Sequence, residues 1–325
     1  MFCGPVNTSF HGSVPILGPM FSPWQAVIRV RDEVRHKAAV DLRSRTGGAD
    51  ATARARTIWG APGPRWFTPD DPIWQVHANA SMFLGGLRAL LLQALHPVAM
   101  AGVAQNSTYR EDPWGRLQQI STFISMTTYG PVPDAERLMA RVTKVHSMIT
   151  GVAPNGRHYT ASDPDLLLWV HCAEIDSFLD AYRRFGHADP LDADRYVAQT
   201  ARAAEGIGVP AAPRSEAELT DVLASYRPLL EAGPDALDVL TYLRRPAGLD
   251  RTGLLGHAAL FNGALASLPP YARALFGIDW GSARSATALR VGDAGVTAVR
   301  WMLNDPLVAD DRLTHEQLSP AGTAR

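Results

Sequence analysis

The chain has 325 residues, 46% hydrophobic and 19% charged, enough for one large hydrophobic core or two small ones. Its 31 basic and 32 acidic residues leave a formal charge of −1, so no electrostatic argument favours nucleic acid or an anionic membrane surface. Cys3 and Cys172 are its two cysteines, which excludes a disulfide scaffold or a cysteine metal cage and fits two free thiols in a reducing compartment.

The first twenty-five residues carry no Lys or Arg, and Gly and Pro interrupt every apolar run, so they do not read as a signal peptide and the expected location is the cytoplasm. Residues 43–70 are rich in Gly, Pro, Ala and Arg and predict an irregular, partly mobile connection. The longest apolar stretch, 82–104, is long enough for a bilayer but contains Arg88, Gln93, His96 and Pro97. That predicts a core helix, kinked or broken after His96, and no stable membrane span.

Asp-Pro recurs at 71, 112, 163, 189 and 305. Aspartate accepts N-cap hydrogen bonds and proline suits the first helical position, so most of these dipeptides predict helix starts. The helices opened at 112 and 163 are expected to stop at Gly130 and Gly186, and one between them to run to Gly151. Only 155–162, NGRHYTAS, reads as a short turn or hairpin. After Asp305 the chain turns polar and reads as a frayed tail.

The expected fold is therefore all-α: a single large helical domain at 70–290, preceded by an extension and irregular connection at 1–69. A C-terminal helix and flexible tail follow at 291–325.

Four polar groups fall on apolar helical faces. His146 shares a stripe with Leu138, Met139, Val142, Val145 and Ile149; His171 lines up with Leu168, Ile175, Phe178 and Tyr182. His96 follows Leu92 and precedes Ala99 and Val103, and Arg116 sits on the side of Ile120, Phe123 and Thr127. Any single inward histidine is usually a satisfied core residue; three on separate helices with an arginine call for chemistry. Glu174, one turn after His171, is placed either to orient it or to be an ordinary solvated or salt-bridged carboxylate. Trp74, Phe83, Trp114, Phe123, Trp169 and Phe178 read mainly as core packing, with cavity lining as the other role.

Zinc hydrolysis lacks its HExxH or His/Cys pattern, and a di-iron site lacks its paired Glu-x-x-His. No Gly-x-Ser-x-Gly elbow, dinucleotide fingerprint or P-loop is present. Haem suits the set better: one helical imidazole as axial ligand, apolar walls and a cation or hydrogen-bonding group. There is no CxxCH, so the haem would be non-covalent.

The runs LLLQALHPVAMAG, DPWGRLQQISTFISMTTYG, VTKVHSMITG, YTASDPDLLLWVHCAEIDSFLDAYRRFG and LPPYARALFG resemble the bacterial family that shares the catalytic domain of rubber oxygenase (latex clearing protein) and the MpaB-type oxygenases. The resemblance covers roughly residues 70–280. It implies a globin-like, helical core with extra helices, binding haem b, and oxidative cleavage of an isoprenoid carbon–carbon double bond by dioxygen. It further implies His146 as the proximal iron ligand, Arg116 as the distal arginine of the R-x-x-x-T motif, and His171 as a core histidine supporting the pocket. Two positions depart from the pattern: Ile120 replaces the motif's threonine, and Gln119 stands where rubber oxygenase has a lysine able to reach the iron. The distal position is then open, water-bound or reached by His96. The expected partners are a small hydrophobic substrate and dioxygen; the alternative is a haem or hydrophobic-ligand carrier or sensor without turnover.

Overall fold

A computed structural model of the protein describes residues 23–48, 50–107 and 110–304; the predicted leaderless start, Cys3, and the tail with its Asp305-Pro306 helix start lie outside the described residues. The described chain is all-α, a single domain of fourteen α-helices with one short hairpin. α1 (Pro23–Gly47), α2 (Ala51–Ala55) and a π-helical turn (Arg56–Gly60) precede α3 (Pro72–Ala78). Residues 43–60 are therefore mostly helical, not irregular. The reason is local satisfaction: the Arg65 guanidinium donates to the carbonyls of Ile58, Trp59, Ala61 and Tyr129, supplying partners that a π-helical end would otherwise lack. Trp59 then stacks on Tyr129, centroids 4.1 Å apart, with Trp74 edge-on to both.

The apolar run at 82–104 is two helices, α4 (Met82–Ala94) and α5 (Pro97–Asn106), bent by 108°. Pro97 cannot continue the ladder, and His96 becomes the N-cap of α5, its Nδ1 accepting from the Ala99 N–H at 3.2 Å. Among the described residues no single helix is long and apolar enough to cross a membrane.

Asp-Pro opens α3, α6 (Pro113–Tyr129) and α8 (Pro164–Phe185) as expected. Asp112 accepts from the Gly115 N–H at 2.9 Å and Asp163 from the Asp165 N–H at 2.9 Å. Asp189-Pro190 opens no helix, because Asp192 takes the cap of α9 (Ala193–Gly206) instead, accepting from the Arg195 N–H at 3.0 Å. Gly130 and Gly186 end α6 and α8. The helix expected to reach Gly151 does not: α7 (Val132–His146) stops at His146. Residues 150–152 form β1 (Thr150–Val152), which pairs antiparallel with β2 (His158–Thr160) in the predicted hairpin, Gly151 opposite Tyr159.

α10 (Glu216–Tyr226), α11 (Pro234–Arg244), α12 (Arg251–Ser267), α13 (Pro270–Leu275) and α14 (Ser282–Leu303) complete the fold. α8 and α4 run through the core, where Trp169, Cys172, Leu84, Leu91 and Leu92 are fully buried; Cys172 is a free thiol. Arg88 on α4 is 3% exposed and is neutralised from α8, donating at 2.7 Å to both Asp176 and Ser177, with Asp180 at 3.6 Å. This pairing explains how a charged residue sits within the apolar run. α12 and α14 cross at Gly263 and Gly292, where a Cβ on either would lie 2.7 Å from the other's Cα.

Candidate functional site

α6 is the spine of the site. Met126–Tyr129 at its end are buried, but the stretch between Arg116 and Ser125 is half-buried or exposed although the helix is flanked by α1, α3 and α7. Part of its length thus borders open space. Arg116 stands at the first turn, fixed in orientation by the Asp112 cap and donating to Gln119 Oε1 at 3.5 Å. It is exposed in part, yet desolvation by the surrounding protein lowers its pKa.

His146 closes α7, with the Arg116 charge in electrostatic range. Burial lowers the imidazole pKa first, and the Arg116 charge lowers it further, so the ring is held neutral. The stripe it was expected to share is only partly buried: Met139 is in the core, Leu138, Val142 and Ile149 are half-buried, and Val145 is 44% exposed. His146 is itself half-buried, on the last turn of α7. Its Nδ1 is enclosed and has no hydrogen-bond partner. The carbonyl or carboxylate that a ligand histidine commonly uses for its second nitrogen is not present among the described residues.

At the other end of α6 lies a polar group that the sequence pattern did not single out. His77 on α3 places Nδ1 2.8 Å from Thr128 Oγ1 and Nε2 3.4 Å from the Tyr196 hydroxyl of α9; its ring meets Phe178 of α8 edge-on at 5.6 Å. Four helices meet at this one imidazole, whose pKa burial lowers to about 3. The only sequence signal was its place three residues after Trp74 on an apolar face.

α8 presents His171, Glu174 and Phe178 on one face. His171 is half-buried, its Nε2 is enclosed without a partner, and burial lowers its pKa to about 4. Glu174 makes no hydrogen bond or ion pair with a described residue, and burial raises its pKa to about 7. It is half-buried with solvent-accessible oxygens, so of the two ordinary roles its sequence position allowed, the salt bridge is absent among the described residues. Its charge lies within electrostatic range of the buried Tyr196 hydroxyl.

Arg116 and His146 are thus brought together, while His96 has other surroundings. It is 2% exposed between the rings of Trp169 and Tyr226, both at 6.0 Å, with Arg157 and Asp163 in electrostatic range. Accepting at Nδ1 places its proton on Nε2, so in this state it acts as a helix cap. Of the aromatic candidates, Trp169 and Trp74 are core, Phe178 borders the His77 group, and Trp114 lies under the Arg45 guanidinium at 5.1 Å. Among the described residues no three His, Cys, Asp or Glu side chains converge as a metal-ion set.

No curated protein and no solved structure matches the chain. A family does: the one described as ER-bound oxygenase mpaB/B′/Rubber oxygenase, catalytic domain, matches residues 74–301, from α3 to the end of α14. That span is well over half the chain and contains Arg116, His146, His171 and the whole His77 group. An all-α domain matched from within α3 into α14 belongs to the family of mpaB and rubber oxygenase catalytic domains.

Proposed function

We propose that the protein is a haem b-dependent oxygenase acting on a small hydrophobic, alkene-containing molecule, with dioxygen as co-substrate, in a globin-like pocket along α6. One observation carries the reading: the enclosed, unpartnered Nδ1 of His146 beside the Arg116 charge. An unsatisfied buried polar group costs about 1–3 kcal/mol, and a neutral imidazole with no protein partner keeps a lone pair available for iron. A single axial ligand needs no cluster of metal-binding side chains, so the residues present fit the cofactor.

In this reading His146 holds the haem non-covalently, and Ile120, Phe123 and Ile124, all half-buried on α6, supply apolar wall. When bound, haem supplies the iron at which dioxygen is activated for insertion into a double bond. The chain's own residues do the rest. Arg116, the distal arginine of the motif, contributes a positive charge within electrostatic range of His146 and would stabilise negative charge developing on oxygen. Ile120, in place of a hydroxyl, keeps water from that side. His171, neutral throughout the physiological range, supports the pocket wall without competing as a cation. His96 holds the α4–α5 bend and so positions both helices.

The test is the absorption spectrum of protein from haem-replete cells, with pyridine haemochrome and iron assays, on wild type and His146→Ala. A Soret band at near-stoichiometric haem that collapses in the variant is expected. A colourless wild type that takes up no added haemin overturns the reading. A carrier without turnover is the second reading, favoured by Ile120 at the motif position where a hydroxyl would stand; product formation from a test alkene under air separates the two.

A further inference from the structure

A cavity of about 540 Å³ lies where α4 and α8 meet the α12–α14 end of the domain. No residue of α6 or α7 lines it, so it is separate from Arg116 and His146. Leu268, Trp280 and Leu289 supply apolar wall, and Arg88, Arg184 and Arg273 supply charge. Arg184 directs its Nε to Asp180 at 2.8 Å. Arg88, 3% exposed, donates from Nη1 to Asp176 and Ser177 and from Nε to the Ser267 carbonyl at 3.3 Å, while its Nη2 donates to no described residue and remains accessible. Arg273 is the least satisfied of the three. It makes no ion pair with a described residue, and its one hydrogen bond runs from Nη1 to the Ser285 hydroxyl at 3.3 Å; Nε is enclosed without a partner and Nη2 is free. Three arginines thus meet two carboxylates, Asp176 and Asp180, and the charge of Arg273 is left over. A guanidinium held at a cavity wall without a counter-charge lacks the pairing that normally offsets its desolvation. Its position is nonetheless fixed: the Arg273 N–H donates to the Pro269 carbonyl at 3.1 Å, and its own carbonyl accepts from Ile278 at 2.8 Å.

We infer that this cavity is a second ligand site, binding a small organic carboxylate with an apolar body, its carboxylate held by Arg273 with Arg88 as a further donor. The planar fork of a guanidinium matches the two oxygens of a carboxylate. One surplus positive charge matches a monoanion better than a doubly charged phosphate ester. The volume is that of a small-molecule pocket, and apolar walls with a few placed polar groups are the usual composition of one. α14 begins at the same place with no side-chain cap on its Gly281 end, and Ser282 and Ser285 of its first turn line the cavity, which adds partial positive charge there. The two prolines before Arg273 fix the backbone that carries it, so little ordering remains for the ligand to bring about.

The test is isothermal titration of the full chain with benzoate, with its uncharged counterpart benzamide and with phenyl phosphate. Benzoate is expected to bind wild type, and benzamide to bind at least about tenfold more weakly, the scale of a charge-assisted hydrogen-bonded pair. Arg273→Gln should weaken benzoate by a similar factor, and Arg273→Lys, which keeps the charge but not the fork, should recover part of the loss. Arg116→Gln should leave benzoate affinity within about twofold, because no residue of α6 lines the cavity. Equal binding of benzoate and benzamide, unchanged affinity in Arg273→Gln, a loss in Arg116→Gln instead, or no binding of benzoate to wild type overturns the assignment. Tighter binding of phenyl phosphate than of benzoate overturns the carboxylate in favour of a phosphate ester. If Arg273→Gln fails to fold, the benzamide comparison on wild type and the affinity of Arg273→Lys decide. The haem reading stands or falls separately: a colourless protein that binds benzoate through Arg273 keeps this site.

Discussion

The Arg116 guanidinium, on the first turn of α6, lies near enough to His146, the last residue of α7, to disfavour the imidazolium. Helix start meets helix end, and each end is fixed by its own local chemistry: the Asp112 cap on one side and the turn into β1 on the other. The pair therefore survives as a neutral imidazole beside a permanent cation.

Arg116→Gln should leave haem uptake largely intact but lower oxygen-dependent turnover of a test alkene about 10- to 100-fold, the scale on which a fixed electrostatic stabiliser acts. Arg116→Lys should recover part of the loss. Equal rates for wild type and Arg116→Gln at matched haem content would remove Arg116 from the chemistry.

Stability should depend on pH in opposite senses for the histidines His77 and His171 and for Glu174. His77 and His171 have folded pKa values lowered to about 3 and about 4, below the usual 6.5, so the unfolded chain binds more protons. Their contribution is present above pH 6.5 and is lost as pH falls through that value toward 4. Glu174 is raised to about 7 from 4.5, so its contribution is present below 4.5 and is lost as pH rises toward 7. Two histidines outweigh one carboxyl, and urea midpoints should fall steeply from pH 6.5 to 4. Glu174→Gln should raise stability at pH 8 relative to wild type, with little gain at pH 4.5.

Arg88→Leu should destabilise the fold by about 1–3 kcal/mol, because it removes the cation facing the half-buried Asp176 and Asp180, while the Ser177 hydroxyl keeps its bond to the Ala173 carbonyl. Adding Asp176→Asn should restore part of the loss, a coupling that a double-mutant cycle in urea would read. Strict additivity would mean that the pair contributes nothing beyond its separate packing.

Gly263→Ala and Gly292→Ala should each cost about 1–3 kcal/mol, since the new methyl meets backbone 2.7 Å away at the α12–α14 crossing and neither helix can yield without separating. Gly256→Ala, on the same helix with open space around it, should be neutral or slightly stabilising. Thermal midpoints of the three variants decide the point.

Much of the fold was legible because its signals are local. The Asp-Pro starts at 71, 112 and 163, the glycine stops at 130 and 186 and the break at His96-Pro97 depend on residues a few positions apart and lie where the chain chemistry directs, and the hairpin's second strand falls within 155–162 while its first lies before it. The exceptions are equally physical. Residues 43–60 carry loop-like composition but are mostly helical, the π-helical end being held by a guanidinium from beyond it; Asp189-Pro190 yields to Asp192 as a cap; and α7 ends early where β1 pairs with β2. The inward tilt of His146 and His171 was readable from helical periodicity, and family membership from ordered motifs. Convergence was not. Only the packing of α6 against α7 decided that Arg116 meets His146, only the engagement of Nδ1 turned His96 into a cap, and only the junction of α3, α6, α8 and α9 gathered His77, Thr128, Tyr196 and Glu174. Periodicity tells which way a side chain faces from its own helix; what it faces is a property of distances between helices, which no single segment contains.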